Sequence, residues 1–205
     1  MLPDPSDVVL SKFIDPFTAE TGVNKCSQVS LIYLKELKVW HRPHIDCLAA
    51  AGVDLIAFET IPSIKEAEAV VELLREFPNS KAWLSFSCKD EKRISDGSLF
   101  ADAVRVAERS TQLLAVGVNC CPPDVVESLL DSAGPLHVSN TSWVVYPNSG
   151  EEWDTERGWQ ISGKPSGWTP DLSHMWVKQG AALIGGCCRI GPAHIAELRQ
   201  QLKGR

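Results

Sequence analysis

From about residue 34 the chain alternates short, unbroken apolar runs with stretches of helical periodicity. The run "VDLIAFET" at 53–60 reads as a strand and "SIKEAEAVVELLREF" after it as a helix. In that helix Ser63 and Glu66 have capping-box spacing, and Ile64, Ala67, Val70, Val71, Leu74 and Phe77 make one apolar stripe. "AWLSFSC" at 82–88 is the next strand, followed by a helix near 98–110. "LLAVGVNC" at 113–120 is the third, with Pro122 and Pro123 opening a helix through "DVVESLL". "LHVSN" at 136–140 reads as the fourth strand and "ALIGGCC" at 182–188 as the fifth, before a closing helix that starts at Pro192. These strands are continuous apolar runs, as expected when both faces of a parallel sheet are buried. Their ends recur near 59, 87, 120, 140 and 187, close to the size of one β/α repeat. The class is α/β, and the regularity favours a (β/α)8 TIM-type barrel over a doubly wound sheet.

Two stretches break the pattern. About thirty residues separate "VSN" from the helix at "TPDLSHMWV", and this loop holds Trp143, Trp153, Trp159, Trp168 and Tyr146. Connections of that length inside a compact domain are usually functional. Residues 1–33 fit none of the repeats and are expected to form an atypical, poorly ordered segment ahead of a partial barrel domain at 34–205.

The totals narrow the classes of partner. The chain has 205 residues, 44% of them hydrophobic, and a formal net charge of −6 with no cluster of Lys and Arg. Nucleic acid and anionic membrane are therefore poor candidates as partners. No apolar run approaches the roughly 20 residues of a membrane span, and the start lacks the pattern of a secretory signal. Seven cysteines (26, 47, 88, 120, 121, 187, 188) form an odd set without the spacing of a disulfide scaffold. A reducing cytoplasm is the expected compartment.

Functional side chains of a parallel barrel gather at the carboxyl ends of its strands. Here those ends carry Glu59 and Thr60, then Ser85, Ser87 and Cys88, then Asn119 and Cys120, then Ser139 and Asn140, and finally Cys187 and Cys188. A barrel brings Cys120 to the same face as Cys187 and Cys188. Three sulfurs with one position left open are the pattern of a catalytic zinc site, and soft thiolates favour zinc over magnesium or calcium. Neighbouring strand residues normally point to opposite faces, so Gly185 and Gly186 are expected to let the backbone bend there. Inert buried thiols and a redox pair remain alternatives at this stage, as does a phosphate site at the helix after "GGCCRIGP".

The segments "HRPHIDCLAAAGVDLIAFETIPSIKEAEA", "GVNCCPP", "VVYPNSGEEWD" and "GGCCRIGPAHI" resemble the homocysteine S-methyltransferase family, closest to members using S-methylmethionine or S-adenosylmethionine. The resemblance covers roughly residues 35–205. It implies a zinc-dependent (β/α)8 barrel that methylates L-homocysteine to methionine, with Cys120, Cys187 and Cys188 as metal ligands. It makes Glu59 a contact for the amino group of homocysteine. From their places at strand ends, Asn119 and Asn140 either bind the substrate or close the loop backbone. Cys121 has no ligand role in the family pattern, and Cys26, Cys47 and Cys88 match no motif cysteine. A free thiol of pKa about 8.5 is only a few per cent ionised at neutral pH, and metal coordination removes that proton. The sulfur then attacks a methyl group on a positively charged sulfonium and a neutral thioether leaves, so alignment is the main task. An aromatic face near the sulfonium is a further expectation, with Trp143 and Tyr146 as candidates. His41 and His44 read as structural, and Arg189 as the partner of a carboxylate of undetermined source.

Five strands do not close an eight-stranded barrel, for which about 250 residues are typical. The family pattern begins with three further β/α units, so the chain reads as an N-terminally truncated form that retains about the last five. Two consequences are expected. The outer strands would present apolar edges open to self-association. The chain would bind zinc with little methyl transfer of its own, the alternative function being a zinc-binding or interaction module with a full-length relative.

Overall fold

The computed structural model describes residues 34–134, 141–154, 156–160 and 171–203. Helix α1 (Leu34–Ala50) precedes strand β1 (Ile56–Ile61), helix α2 (Ile64–Leu74), β2 (Ala82–Phe86), α3 (Phe100–Ala107) and β3 (Leu113–Asn119). A short 3-10 turn (Pro123–Val125) leads into α4 (Val126–Ala133). Then come β4 (Ser142–Tyr146), β5 (Glu152–Asp154), β6 (Gly158–Gln160), α5 (Leu172–Lys178), β7 (Ala181–Ile184) and α6 (Pro192–Lys203). Strands β1, β2, β3, β4 and β7 form one parallel sheet in that order, and β5 and β6 form a separate antiparallel hairpin. The main sheet is not closed among the described residues, so the architecture is an open part of a (β/α) barrel. The expected N-terminal segment at 1–33 lies outside the described residues.

Alternation along the strands divides the side chains into two layers. Ile56, Phe58, Leu84, Phe86, Val116, Val118, Trp143 and Val145 join the core shared with the helices. Trp83, Ala115, Val144, Tyr146 and Leu183 form a second cluster on the opposite face, with Leu55, Ala57 and Cys187 against it. Helix α2 shows how the first layer is built. The Ser63 hydroxyl accepts from the Glu66 amide at 3.2 Å, and Ala67, Val70, Val71, Leu73 and Leu74 are fully buried. At roughly 1.5–3 kcal/mol for each large aliphatic side chain, packing dominates over the cap. The Glu66 carboxylate meets His41 Nε2 of α1 at 2.9 Å, both side chains being buried. His41 is thus structural, and the exposed His44 turns back to the Trp40 carbonyl.

One strand differs from the expectation. The run at 136–140 lies outside the described residues, and the fourth strand of the sheet is Ser142–Tyr146. "SWVVY" is β-branched and aromatic, which suits a pleated surface with both faces covered. Trp143 and Tyr146 therefore belong to the sheet and not to the long loop. The β3–β4 pairing also explains Gly117: a Cβ there would stand 1.8 Å from the Val144 carbonyl oxygen.

Candidate metal centre

Strand β4 lies between β3 and β7, and this order brings the distant cysteines together. The ladder continues past the strand ends on both sides of β4. The Cys120 amide donates to the Tyr146 carbonyl at 3.3 Å, and the Cys187 amide donates to the Pro147 carbonyl at 2.8 Å. Ser149 donates to the Cys188 carbonyl at 3.2 Å. The two cysteine segments are thus pinned to adjacent peptides of one strand end.

The three thiols converge. Cys120 Sγ is 3.0 Å from Cys187 Sγ and 3.4 Å from Cys188 Sγ, and the last two sulfurs are 3.9 Å apart. All three residues are half-buried. Their mutual contacts and burial hold the Cys120 thiol far above its ordinary value. For Cys187 the hydrogen bond with Cys120 lowers the pKa, but contact with Cys188 and burial outweigh it, leaving the thiol pushed up to about 12. Three sulfurs about 2.3 Å from one tetrahedral centre stand about 3.8 Å apart. A shared ion therefore needs two of these separations to open by less than about 1 Å. The donor set fits zinc by softness, number and spacing.

The re-aiming of neighbouring residues comes from backbone conformation, and β7 ends at Ile184, immediately before Gly185 and Gly186. Gly185 and Gly186 are outside the left-handed region, which instead holds Cys120 (φ 53°) and Arg189 (φ 67°). Asn119 faces the inner layer. The left-handed turn at Cys120 breaks the alternation that would carry its thiol to the opposite side. Gly186 serves by its lack of bulk: a Cβ there would stand 2.2 Å from Ile190 Cγ2. Arg189 finds its carboxylate in Glu151, whose other oxygen lies 3.2 Å from Nη2. Arg189 and the Ser149 hydroxyl hold the Glu151 carboxyl below its usual range.

Beside the thiols lies a buried polar chain. Trp83 Nε1 can only donate, and it donates to the Tyr146 hydroxyl at 3.1 Å. Tyr146 in turn bonds Ser85 Oγ, and Ser85 donates to Asn119 Oδ1 at 2.9 Å. Asn119 Oδ1 also accepts from the Thr60 amide at 2.8 Å. Its Nδ2 donates to Thr60 Oγ1 at 2.8 Å and lies 3.9 Å from Cys187 Sγ. Thr60 sits at a bulge of β1 with φ 61°, a strained conformation for a β-branched residue. Glu59, half-buried, precedes it, and its charge helps burial push the Tyr146 hydroxyl well above its ordinary value.

Sequence reasoning placed Glu59, Asn119, Cys120, Cys187 and Cys188 at the carboxyl end of the sheet, where they lie. It missed the Trp83–Tyr146–Ser85 chain, although Trp83 and Ser85 share a strand face two residues apart. Asn119, offered as a substrate contact, is fully buried with its amide turned to Thr60, Ser85 and Cys187. Trp143 packs on the helix side with its ring centroid 6.0 Å from that of Phe100, and so faces away from the thiols. The Tyr146 ring lies in the inner layer, 3% exposed. Cys88 and the buried Cys121 touch each other outside the triad, and Cys47 is exposed.

Comparison with known proteins agrees with this geometry. The family profile described as homocysteine S-methyltransferase matches residues 14–202. The homocysteine S-methyltransferase YbgG of Bacillus subtilis is 42% identical over 166 residues, covering 80% of this chain and 51% of YbgG. A betaine-homocysteine S-methyltransferase of Drosophila melanogaster is 38% identical over 180 residues, covering 83% of this chain and 54% of the fly protein. The crystal structure of the homocysteine methyltransferase MmuM of Escherichia coli, metallated form, superposes with a TM-score of 0.70 at 35% identity, covering 83% of this chain and 52% of MmuM. The chain spans about half the length of the curated relatives it matches. Within that span, profile, identity and architecture agree: the chain belongs to the homocysteine S-methyltransferase family.

Proposed function

We propose that Cys120, Cys187 and Cys188 hold a zinc ion. We further propose that the protein transfers a methyl group from a sulfonium donor, S-methylmethionine or S-adenosylmethionine, to the thiol of L-homocysteine, giving methionine. The observation that carries this reading is the convergence of three sulfurs from the ends of β3 and β7. When bound, zinc supplies the Lewis acidity that strips the proton from an incoming thiol. The chain's own residues do the rest. Glu59, re-aimed by the bulge of β1, offers a carboxylate to the ammonium group of the amino acid. Asn119 enters as support beneath Glu59 and the thiols and not as a direct contact. The apolar inner layer around Trp83 and Tyr146 keeps water from the reacting sulfur.

Residues 34–205 are taken as one partial homocysteine-binding domain, and its edge strands β1 and β7 as the surfaces for any self-association. No helix among the described residues is long and apolar enough to cross a membrane. Nucleic acid and membrane surfaces stay outside this reading because of the acidic charge, and a reducing cytoplasm is the compartment it proposes, supported by the free cysteines among the described residues.

The test is zinc content with single substitutions of Cys120, Cys187 and Cys188 by serine. Each is expected to abolish stoichiometric zinc, and retention of zinc by all three variants would overturn the site. Methyl transfer to homocysteine, compared with S-methylmethionine, S-adenosylmethionine and betaine, tests the donor, and activity with betaine alone refutes the sulfonium assignment.

A further inference from the structure

Asn119 stands out because its amide reaches both the Cys187 thiol and the bulge that carries Glu59. Its orientation is fixed by chemistry. The Thr60 backbone N–H can only donate, so the atom facing it at 2.8 Å must be Oδ1. The Ser85 hydroxyl, already accepting from Tyr146, donates to the same oxygen. Nδ2 is thereby left facing Thr60 Oγ1 and Cys187 Sγ, with one N–H for each. The side chain is fully buried, so water does not compete for these partners.

We infer that Asn119 is a positioning residue that donates an N–H to the Cys187 sulfur while its oxygen locks the Glu59–Thr60 bulge, tying the amino-group site to the metal site. This deepens the zinc reading and rests on it. Two strained backbones flank the amide, Thr60 at φ 61° and Cys120 at φ 53°. Asn119 bonds the first directly and precedes the second in the chain. A donor on a ligating sulfur withdraws electron density from it and fixes its lone pairs, as outer-shell partners of metal ligands do. The Trp83–Tyr146–Ser85 chain feeds hydrogen bonds toward the amide oxygen, which polarises its N–H further.

The probe is cobalt(II) added to the metal-free 205-residue chain, read by its sulfur-to-cobalt charge-transfer absorption, with zinc affinity measured by competition against a chromophoric chelator. In Asn119→Asp the oxygen side keeps Thr60 N–H and Ser85, but the N–H on sulfur is replaced by a negative oxygen. The band is expected to move to longer wavelength and zinc affinity to fall about 10–100-fold. In Thr60→Val the amide oxygen keeps its donors while Nδ2 loses its hydroxyl acceptor and keeps only the sulfur, so the band is expected to move the opposite way. A merely structural Asn119 would change stability and leave the band in place. A band unmoved in both variants overturns the inference, and if Asn119→Asp does not fold, Thr60→Val decides alone. If the unsubstituted chain gives no such band, the metal reading falls and takes this inference with it.

Discussion

Asn119 and Thr60, 59 positions apart, are joined by two hydrogen bonds of 2.8 Å, amide oxygen to backbone N–H and amide nitrogen to hydroxyl. These two bonds join strands that are not neighbours, since β2 lies between β1 and β3. The clamp crosses one strand and holds the β1 bulge against the base of the cysteine loop. Asn119→Ala would leave the Thr60 amide and the Ser85 hydroxyl without their acceptor in a buried site. At about 1–3 kcal/mol for each unsatisfied group, the expected loss is about 2–6 kcal/mol. Urea unfolding of the purified chain measures it, and a loss within about 0.5 kcal/mol would show that the clamp carries no weight.

The close approach of β3 to β4 predicts a larger effect at Gly117. A Cβ 1.8 Å from the Val144 carbonyl oxygen meets backbone, which cannot rotate aside. Gly117→Ala is expected to cost more than about 4 kcal/mol and to separate the two strands that carry the site. Soluble yield and urea midpoint report it. A variant as stable as the parent would mean that the strands part more easily than their register implies.

The His41–Glu66 pair ties α1 to α2 in a buried setting. His41→Ala strands the Glu66 carboxylate and is expected to cost about 3–5 kcal/mol. His41→Ala combined with Glu66→Leu should recover much of that loss, because two apolar groups replace a broken pair. Equal losses in the single and double variants, compared by thermal unfolding, would show that packing and not the stranded charge sets the cost.

Alkaline pH should destabilise the metal-free protein. The Cys187 thiol is pushed up to about 12, whereas an unfolded cysteine titrates near 8.5. The folded state thus binds the proton more tightly. The stability this contributes is complete below about pH 8.5 and lost as pH rises toward 12. Cys120 and Tyr146 are shifted the same way, the first by its thiol contacts and burial, the second by burial and the charge of Glu59. The urea midpoint of the metal-free chain is expected to fall between pH 9 and pH 11. Loaded with zinc, the chain should respond in the opposite sense, since metal and protons compete for sulfur and acidification from about pH 8 to 6 weakens binding. A metal-free midpoint that holds or rises through the alkaline range contradicts the proton affinities of the triad.

Much of this was legible in residue order alone. Unbroken apolar runs at β/α spacing specify a parallel sheet covered on both faces, because only such a sheet buries every position of its strands. The capping serine and stripe of α2 are local signals and produced the helix they imply. Cysteine chemistry is likewise carried by residue type, so the three sulfur donors could be named from their positions at strand ends.

Tertiary structure decided what depends on partners distant in the chain. That β4 is "SWVVY" and separates β3 from β7 follows from pairing, and two apolar runs close together in sequence compete for that place without a local feature to choose between them. The same register put Trp143 with the helices and Tyr146 with the thiols, since a strand offers alternate residues to alternate faces. The turn that aims Cys120 is a left-handed backbone at a cysteine, a strain held by surrounding structure that the residue order does not display. Composition and periodicity specify which groups are available. Which of them meet is set by strand order and register, energies that belong to pairs of segments and are written in neither one alone.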